Sequence, residues 1–201
     1  MRVNNLYRLG MQDLEKSTES MAKAFCDYPM FTHIMGDKLN HENMKLSLGF
    51  LIKYSILYAE AYAISKENEG IILFTDFKSY RFNLIRAIRS GLIPLMKIGS
   101  DVGKRFNELD SFTLKTHKRI MKENHIYIIL LGVNPDWQGQ GYGRTLMLPV
   151  LKLAEEKGLS CYLETHGEKN VAFYNKLGFK VVSEDILPGT DIIQYSMVKE
   201  K

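Results

Sequence analysis

The chain is poor in cysteine: Cys26 and Cys161 are the two present in 201 residues, and they lie in different predicted elements. That excludes a disulfide-built secreted scaffold and predicts a reducing, cytoplasmic setting. No run of 18 apolar residues occurs, so no transmembrane helix and no stable membrane association are expected. The start of the chain, MRVNNLYRLGMQDLEK, lacks the apolar stretch of a signal peptide. The five histidines and two cysteines show no ligand spacing, so no metal site is expected. Lysine and arginine do not gather into the basic clusters of a nucleic-acid binder. The remaining excess, a net charge of +4, suits a small anionic ligand. Repeats, low-complexity segments and linkers are absent too, and 1–201 reads as one α/β domain with a sizeable core.

What the chain does have is one organising stretch, Asn124 to Glu156. Ile126 to Val133 is an apolar, β-branched run, the pattern of a buried strand. Pro135 ends it, having no N–H to donate. Gly139, Gly141 and Gly143 follow, and from Arg144 the apolar residues Leu146, Val150, Leu153 and Ala154 recur at helical spacing. A strand, a glycine turn and a helix in that order aim free backbone N–H groups, and the positive end of the helix dipole, at an anion. The turn ends Gly143-Arg144-Thr145, not the Gly-Lys-Ser/Thr of a nucleotide triphosphate loop. Its G-x-G-x-G spacing also departs from the dinucleotide fingerprint, although Glu164 stands near the offset of that fingerprint's acidic residue.

Gln138-Gly139-Gln140-Gly141-Tyr142-Gly143 instead matches Q-x-x-G-x-G, and the chain resembles the GNAT superfamily of N-acetyltransferases. A second block supports the resemblance: Asn170-Val171-Ala172-Phe173-Tyr174-Asn175-Lys176-Leu177-Gly178-Phe179 reads as N-x-x-x-F-Y-x-K-x-G-F. The run from Leu148 to Val182 is similar to the subgroup that includes puromycin N-acetyltransferase. The resemblance covers about 126–199. It implies the GNAT fold: a mixed central sheet of about six to seven strands, with a splayed central strand pair and flanking helices. It also implies an acetyl-coenzyme A core at about 125–199 and a helical insert at about 78–122, before the central strand.

In chain order, the pattern predicts a short strand in 5–9 and a helix from Gln12-Asp13 to about Cys26, broken by Tyr28-Pro29. Asn40 caps a helix expected to end near Ile52. Strands at 58–64 and 71–77 form a hairpin. Phe82, Ile85, Ile88 and Leu92 have the spacing of a helix face, and a further helix is expected at 101–121. Arg81, Arg86, Arg89, Lys97, Lys104 and Arg105 make the first half of this insert basic. After the glycine turn come strands at 160–164, 179–183 and 192–198, with a helix at 169–177.

The resemblance also implies roles. Backbone N–H groups from Gln138 through Arg144 (Gln138, Gly139, Gln140, Gly141, Tyr142, Gly143 and Arg144) would cradle the coenzyme pyrophosphate. Backbone at Leu131, Gly132 and Val133 would pair with the pantetheine arm. Asn170 would bond that arm or cap its helix, and Tyr174 would protonate the departing thiolate. Glu164 is the expected base or acceptor contact, with Glu60 and His125 as weaker choices for the base. Tyr28 and Phe31, with Asp27 and His33, belong to the segment expected beside the acceptor. Cys161 reads as a small buried residue. The expected reaction is acetyl transfer from acetyl-coenzyme A to a primary amine of a small molecule. A coenzyme-binding module without catalysis and a peptide N-acetyltransferase stay open, as does a homodimer.

Overall fold

The computed structural model describes residues 3–201. Its strands are β1 (Tyr7–Arg8), β2 (Glu60–Ala63), β3 (Gly70–Asp76), β4 (His125–Val133), β5 (Ser160–His166), β6 (Lys180–Ile186) and β7 (Ile193–Lys199). They form one seven-stranded sheet in the order β1-β2-β3-β4-β5-β7-β6. The β4–β5 pair is parallel and the other pairs are antiparallel. The helices are α1 (Leu14–Ala24), α2 (Pro29–Met35), α3 (His41–Tyr58), α4 (Leu84–Ser90), α5 (Leu92–Met96), α6 (Ser100–Ile120), α7 (Tyr142–Glu156) and α8 (Glu168–Asn175).

Successive strand residues point to opposite faces, so the sheet carries two cores. Ile71 and Leu73 pack with Met21, Leu48 and Ile52 beneath α1 and α3. Ile72 and Phe74 pack on the other face with Leu146 and Val150 of α7. With both faces covered, all four residues of β2 are buried. This is the expected α/β architecture.

Three expectations need correction. Asn40 caps α3 as predicted, accepting from the Asn43 N–H at 2.9 Å, but the helix continues to Tyr58 instead of stopping near Ile52. It buries Tyr54 and Ser55, and that burial overrides the alternation that suggested a strand from Tyr58. In the insert, Asn83 accepts from the Arg86 N–H at 3.0 Å and starts α4 one residue beyond Phe82. Gly91, at φ +111°, ends it. The expected apolar face is not the buried one: Phe82, Ile85 and Ile88 are 57%, 67% and 44% exposed. The short helix seats its small residues Ala87 and Ser90 instead.

The third correction concerns β4. Its side chains alternate between buried and half-buried instead of being buried throughout, because Tyr127, Ile129, Leu131 and Val133 line a cavity on one face.

Candidate active site

β4 and β5 pair from His125 opposite Ser160 to Tyr127 opposite Tyr162, and the ladder stops there. Beyond that point β4 stays with β3 and leaves β5. The departure begins at a bulge: Leu73 faces Leu130, Phe74 faces Ile128, and Ile129 is the extra residue between them. A bulge bends the strand that carries it. The wedge leaves backbone groups on one edge of β4 without a sheet partner as far as Val133, a run of ~20 Å.

A cavity of ≈ 650 Å³ occupies this wedge. At its mouth is the glycine turn. Gly139 and Gly141 sit at φ +79° and +81°, and a Cβ on either would stand in open space. Backbone conformation therefore requires glycine there, while approach to the turn stays unobstructed. The Gln138 side-chain amide donates to the Val133 carbonyl at 3.1 Å, folding the turn back on the strand end. Thr145 N–H is bonded to the Gly141 carbonyl at 3.0 Å, as the first full helical bond of α7. The N–H groups of Tyr142, Gly143 and Arg144 precede it and have no acceptor inside the helix. With the dipole of a 15-residue helix behind them, they can hold an anion.

Leu131, Val133, Asn170 and Tyr174 line the middle. Asn170 is not a helix cap. Gly167 fills that position, and the Asn170 amide donates to the His166 carbonyl at 2.9 Å. Tyr174 is held between Phe173 and Phe179, at ring distances of 5.0 and 5.8 Å. Burial, reinforced by Tyr28, pushes its phenol above the ordinary value, so it stays protonated at working pH. The Tyr28 hydroxyl accepts from the His166 N–H at 3.2 Å and lies 3.0 Å from His166 Nδ1, joining α2's entry to β5.

At the apex stands Glu164. Its Oε1 is buried with no hydrogen-bond partner, and His117 Nδ1 lies 3.7 Å away. Burial pushes its carboxyl up to about 7; the Tyr127 and Tyr162 hydroxyls pull the other way, and Asp110 adds to the rise. Asp110 also lines the cavity and is itself raised by burial. The cavity is thus polarised, with cationic Arg144 and free N–H groups at the mouth and two carboxyl groups deeper in.

Of the sequence candidates, the cavity gathers Tyr28, Phe31, Leu131, Val133, the turn residues except Gln140, Glu164, Asn170 and Tyr174. Gly132 is not among its lining. A Cβ there would meet Met21 Sδ and Phe25 Cε2, both at 2.6 Å, so this glycine serves the approach of α1 to β4. Glu60 lies outside, accepting from the Tyr62 hydroxyl at 3.1 Å and 3.4 Å from the Arg8 guanidinium. His125 is fully buried outside the lining, and Asp27 and His33 are outside it as well. Cys161 is buried, its thiol pushed up to about 12.

Sequence reasoning expected the insert to help shape the acceptor site but named none of the α6 residues that do so. Phe106, Leu109, Asp110 and Thr113 wall the cavity. The helix is tied down at both ends: Arg105 Nε donates to the Ile34 carbonyl at 2.8 Å, and Arg119 reaches Asp185 at 3.1 Å. The signal was available, since these residues and His117 recur at steps of three and four.

The Acetyltransferase (GNAT) family matches residues 104–179, which span α6, β4, the turn, α7, β5 and α8. An uncharacterized N-acetyltransferase of Schizosaccharomyces pombe is 27% identical over 181 residues, covering 86% of this chain and 72% of the yeast protein. A mycothiol acetyltransferase of Thermobifida fusca is 35% identical over 65 residues, covering 31% of this chain and 20% of its own length. Among solved structures, arylalkylamine N-acetyltransferase 2 of Aedes aegypti shares the fold, with a TM-score of 0.63 at 16% identity and 97% of each chain covered.

The chain is an acetyltransferase that matches the GNAT family over residues 104–179.

GNAT acetyltransferases use acetyl-coenzyme A, and the turn fits the pyrophosphate of that coenzyme: its glycines leave the backbone bare where a Cβ would crowd a ligand. Among the described residues of the acetyltransferase, no group of three or more His, Cys, Asp or Glu could hold a metal, and no helix is long and apolar enough to cross a membrane.

Proposed function

We propose that this acetyltransferase moves an acetyl group from acetyl-coenzyme A to the primary amine of a small molecule, by direct attack in a ternary complex. The observation that carries the reading is the continuity of one cavity from the glycine turn to Glu164 and Asp110. Acetyl-coenzyme A, when bound, supplies the reactive thioester. Backbone N–H groups from Gly139 through Arg144 hold its pyrophosphate, with Arg144 adding charge, while the Gln138 N–H is bonded to the Pro135 carbonyl at 3.3 Å. The free edge of β4 at 131–133 takes the pantetheine arm as an added strand would be taken. Asn170 fixes that arm while its own amide stays tied to β5.

Tyr174 holds its proton at the phenolic oxygen until the thiolate departs. Glu164 takes the proton from the amine, and with Asp110 it attracts a cationic acceptor. Tyr28 and Phe31, with Phe106 and Leu109, enclose the acceptor's apolar body. The insert thereby sets acceptor choice, and the similarity to the puromycin-type subgroup favours a small acceptor over a peptide.

A coupled assay that detects free coenzyme A across alkylamines, arylalkylamines, aminonucleosides and lysine peptides tests this. Turnover of small amines is expected. Acetylation of peptides alone would replace the reading, and coenzyme binding without turnover of any amine would leave a non-catalytic module.

A further inference from the structure

Behind Glu164, away from the cavity lining, lie two imidazoles that the acetyl-transfer scheme does not use. His117 and His125 are 1% and 0% exposed, and their Nε2 atoms are 2.7 Å apart. Phe77 stacks on His125 at 4.8 Å and covers His117 at 4.2 Å, while Tyr162 stacks on His117 at 4.1 Å. Water has no place between these rings.

The tautomers follow from the partners. His125 Nδ1 lies 2.8 Å from the Glu123 carbonyl oxygen. A carbonyl only accepts, so His125 Nδ1 carries the hydrogen. Burial keeps both rings neutral, which leaves His125 Nε2 bare. The 2.7 Å contact then requires His117 Nε2–H to donate. A neutral His117 with hydrogen on Nε2 has a bare Nδ1, and that atom faces the unpartnered Glu164 Oε1 at 3.7 Å. A backbone carbonyl three groups away thus decides what Glu164 meets: a lone pair at 3.7 Å, outside hydrogen-bond reach but close enough to disfavour a carboxylate over a neutral carboxyl.

We propose that His117 and His125 are positioning residues whose one-way hydrogen bond turns a bare ring nitrogen toward Glu164 and so raises the hold of that carboxylate on a proton to near the working pH. The proposal rests on the reading of Glu164 as the base. During turnover the amine N–H bond breaks as an O–H bond forms on the Glu164 carboxylate. The carboxylate fraction takes that proton, and the protonated fraction turns its O–H toward His117 Nδ1 and returns the proton to solvent before the next turnover. A base held near the working pH accepts a proton more readily than an ordinary surface carboxylate does. The other titratable groups around Glu164 are Asp110 on α6, Tyr127 on β4, Tyr162 on β5, Tyr80 after β3 and Tyr28 before α2. Tyr127 and Tyr162 favour the carboxylate and Asp110 opposes it. The histidine pair adds its bare nitrogen to the burial that already raises the carboxyl.

Nitrogen-15 NMR of the full chain without substrate reads both tautomers directly. The expected result is hydrogen on Nδ1 of His125 and on Nε2 of His117; the reverse pattern, or imidazolium at either ring at neutral pH, overturns the proposal. Infrared spectra should show a protonated-carboxyl band, absent in Glu164→Gln, that persists to near-neutral pH. In His125→Phe, His117 loses its acceptor and is free to turn Nδ1–H toward Glu164. That band should then vanish at lower pH, and the acidic limb of kcat/KM should move down by about one pH unit. Loss of the band at the wild-type pH in a folded variant overturns the proposal. If the variant does not fold, the wild-type tautomers decide alone. None of the spectroscopic readouts needs acetyl transfer, so failure of the device and failure of the functional reading are separable.

Discussion

In the proposed mechanism Tyr174 and Glu164 divide the proton work, and each predicts a distinct failure. Tyr174→Phe keeps the ring between Phe173 and Phe179 and removes only the hydroxyl. Turnover should fall by about 100-fold or more while coenzyme affinity stays within a factor of a few. Steady-state kinetics beside a binding titration checks this, and unchanged turnover removes Tyr174 from the mechanism. Glu164 and the histidines have opposite effects on stability. Glu164 is raised from 4.5 to about 7, so its contribution is present below pH 4.5 and lost as pH rises through 7. Glu164→Gln should therefore be more stable than the wild type at pH 8, by up to roughly 3 kcal/mol, and about equal at pH 4.5. His117 and His166 are lowered from 6.5 to about 3 and about 4, and His125 is lowered with them. Their contributions are present above pH 6.5 and lost as pH falls through those values. Three histidines oppose two raised carboxyls, Glu164 and Asp110, so Tm should fall from pH 6.5 toward 4. A Tm that rises over that range would refute the neutral, buried assignment.

At the scale of elements, the local signals were legible and the tertiary ones were not. The glycine turn, α7 and the α8 block stand in the sequence because glycine spacing and the switch from strand to helix periodicity are local properties. The wedge between β4 and β5 is not local. It depends on the bulge at Ile129 and on where β5 stops pairing, and nothing in Ile126 to Val133 marks Tyr127 as the last paired residue. The same limit hid His117, whose meaning comes from β5 and β4 and not from α6. Gly132 read as a coenzyme contact because it stands beside Leu131 and Val133, but its absent side chain faces α1. Gly132→Ala should overpack that contact and cost about 1–3 kcal/mol in chemical denaturation. For α4, spacing predicted a buried face where small residues are buried instead. Ile85→Gln should change stability by less than about 0.5 kcal/mol, whereas Ile71→Ala in the core should cost about 2–5 kcal/mol. Equal costs would mean that α4's apolar face is buried after all.

For the whole molecule, the sheet separates two tasks and the wedge rejoins them. The glycine turn and the start of α7 form the mouth proposed to hold the anion, and α8 carries Tyr174. The α1–α3 and α6 side encloses the apolar and acidic part of the cavity. The family match at 104–179 takes in most of α6, then β4, the turn, α7, β5 and α8, and stops before β6. The central claim is that the turn at Gln138–Arg144 holds the coenzyme while Glu164 and Asp110 face the amine. Calorimetric titration of the full chain with acetyl-coenzyme A, with NAD and ATP as controls, tests it most directly. One coenzyme bound per chain, with NAD and ATP at least about tenfold weaker, is the predicted result. Failure to bind acetyl-coenzyme A, or equal binding of NAD, would contradict it.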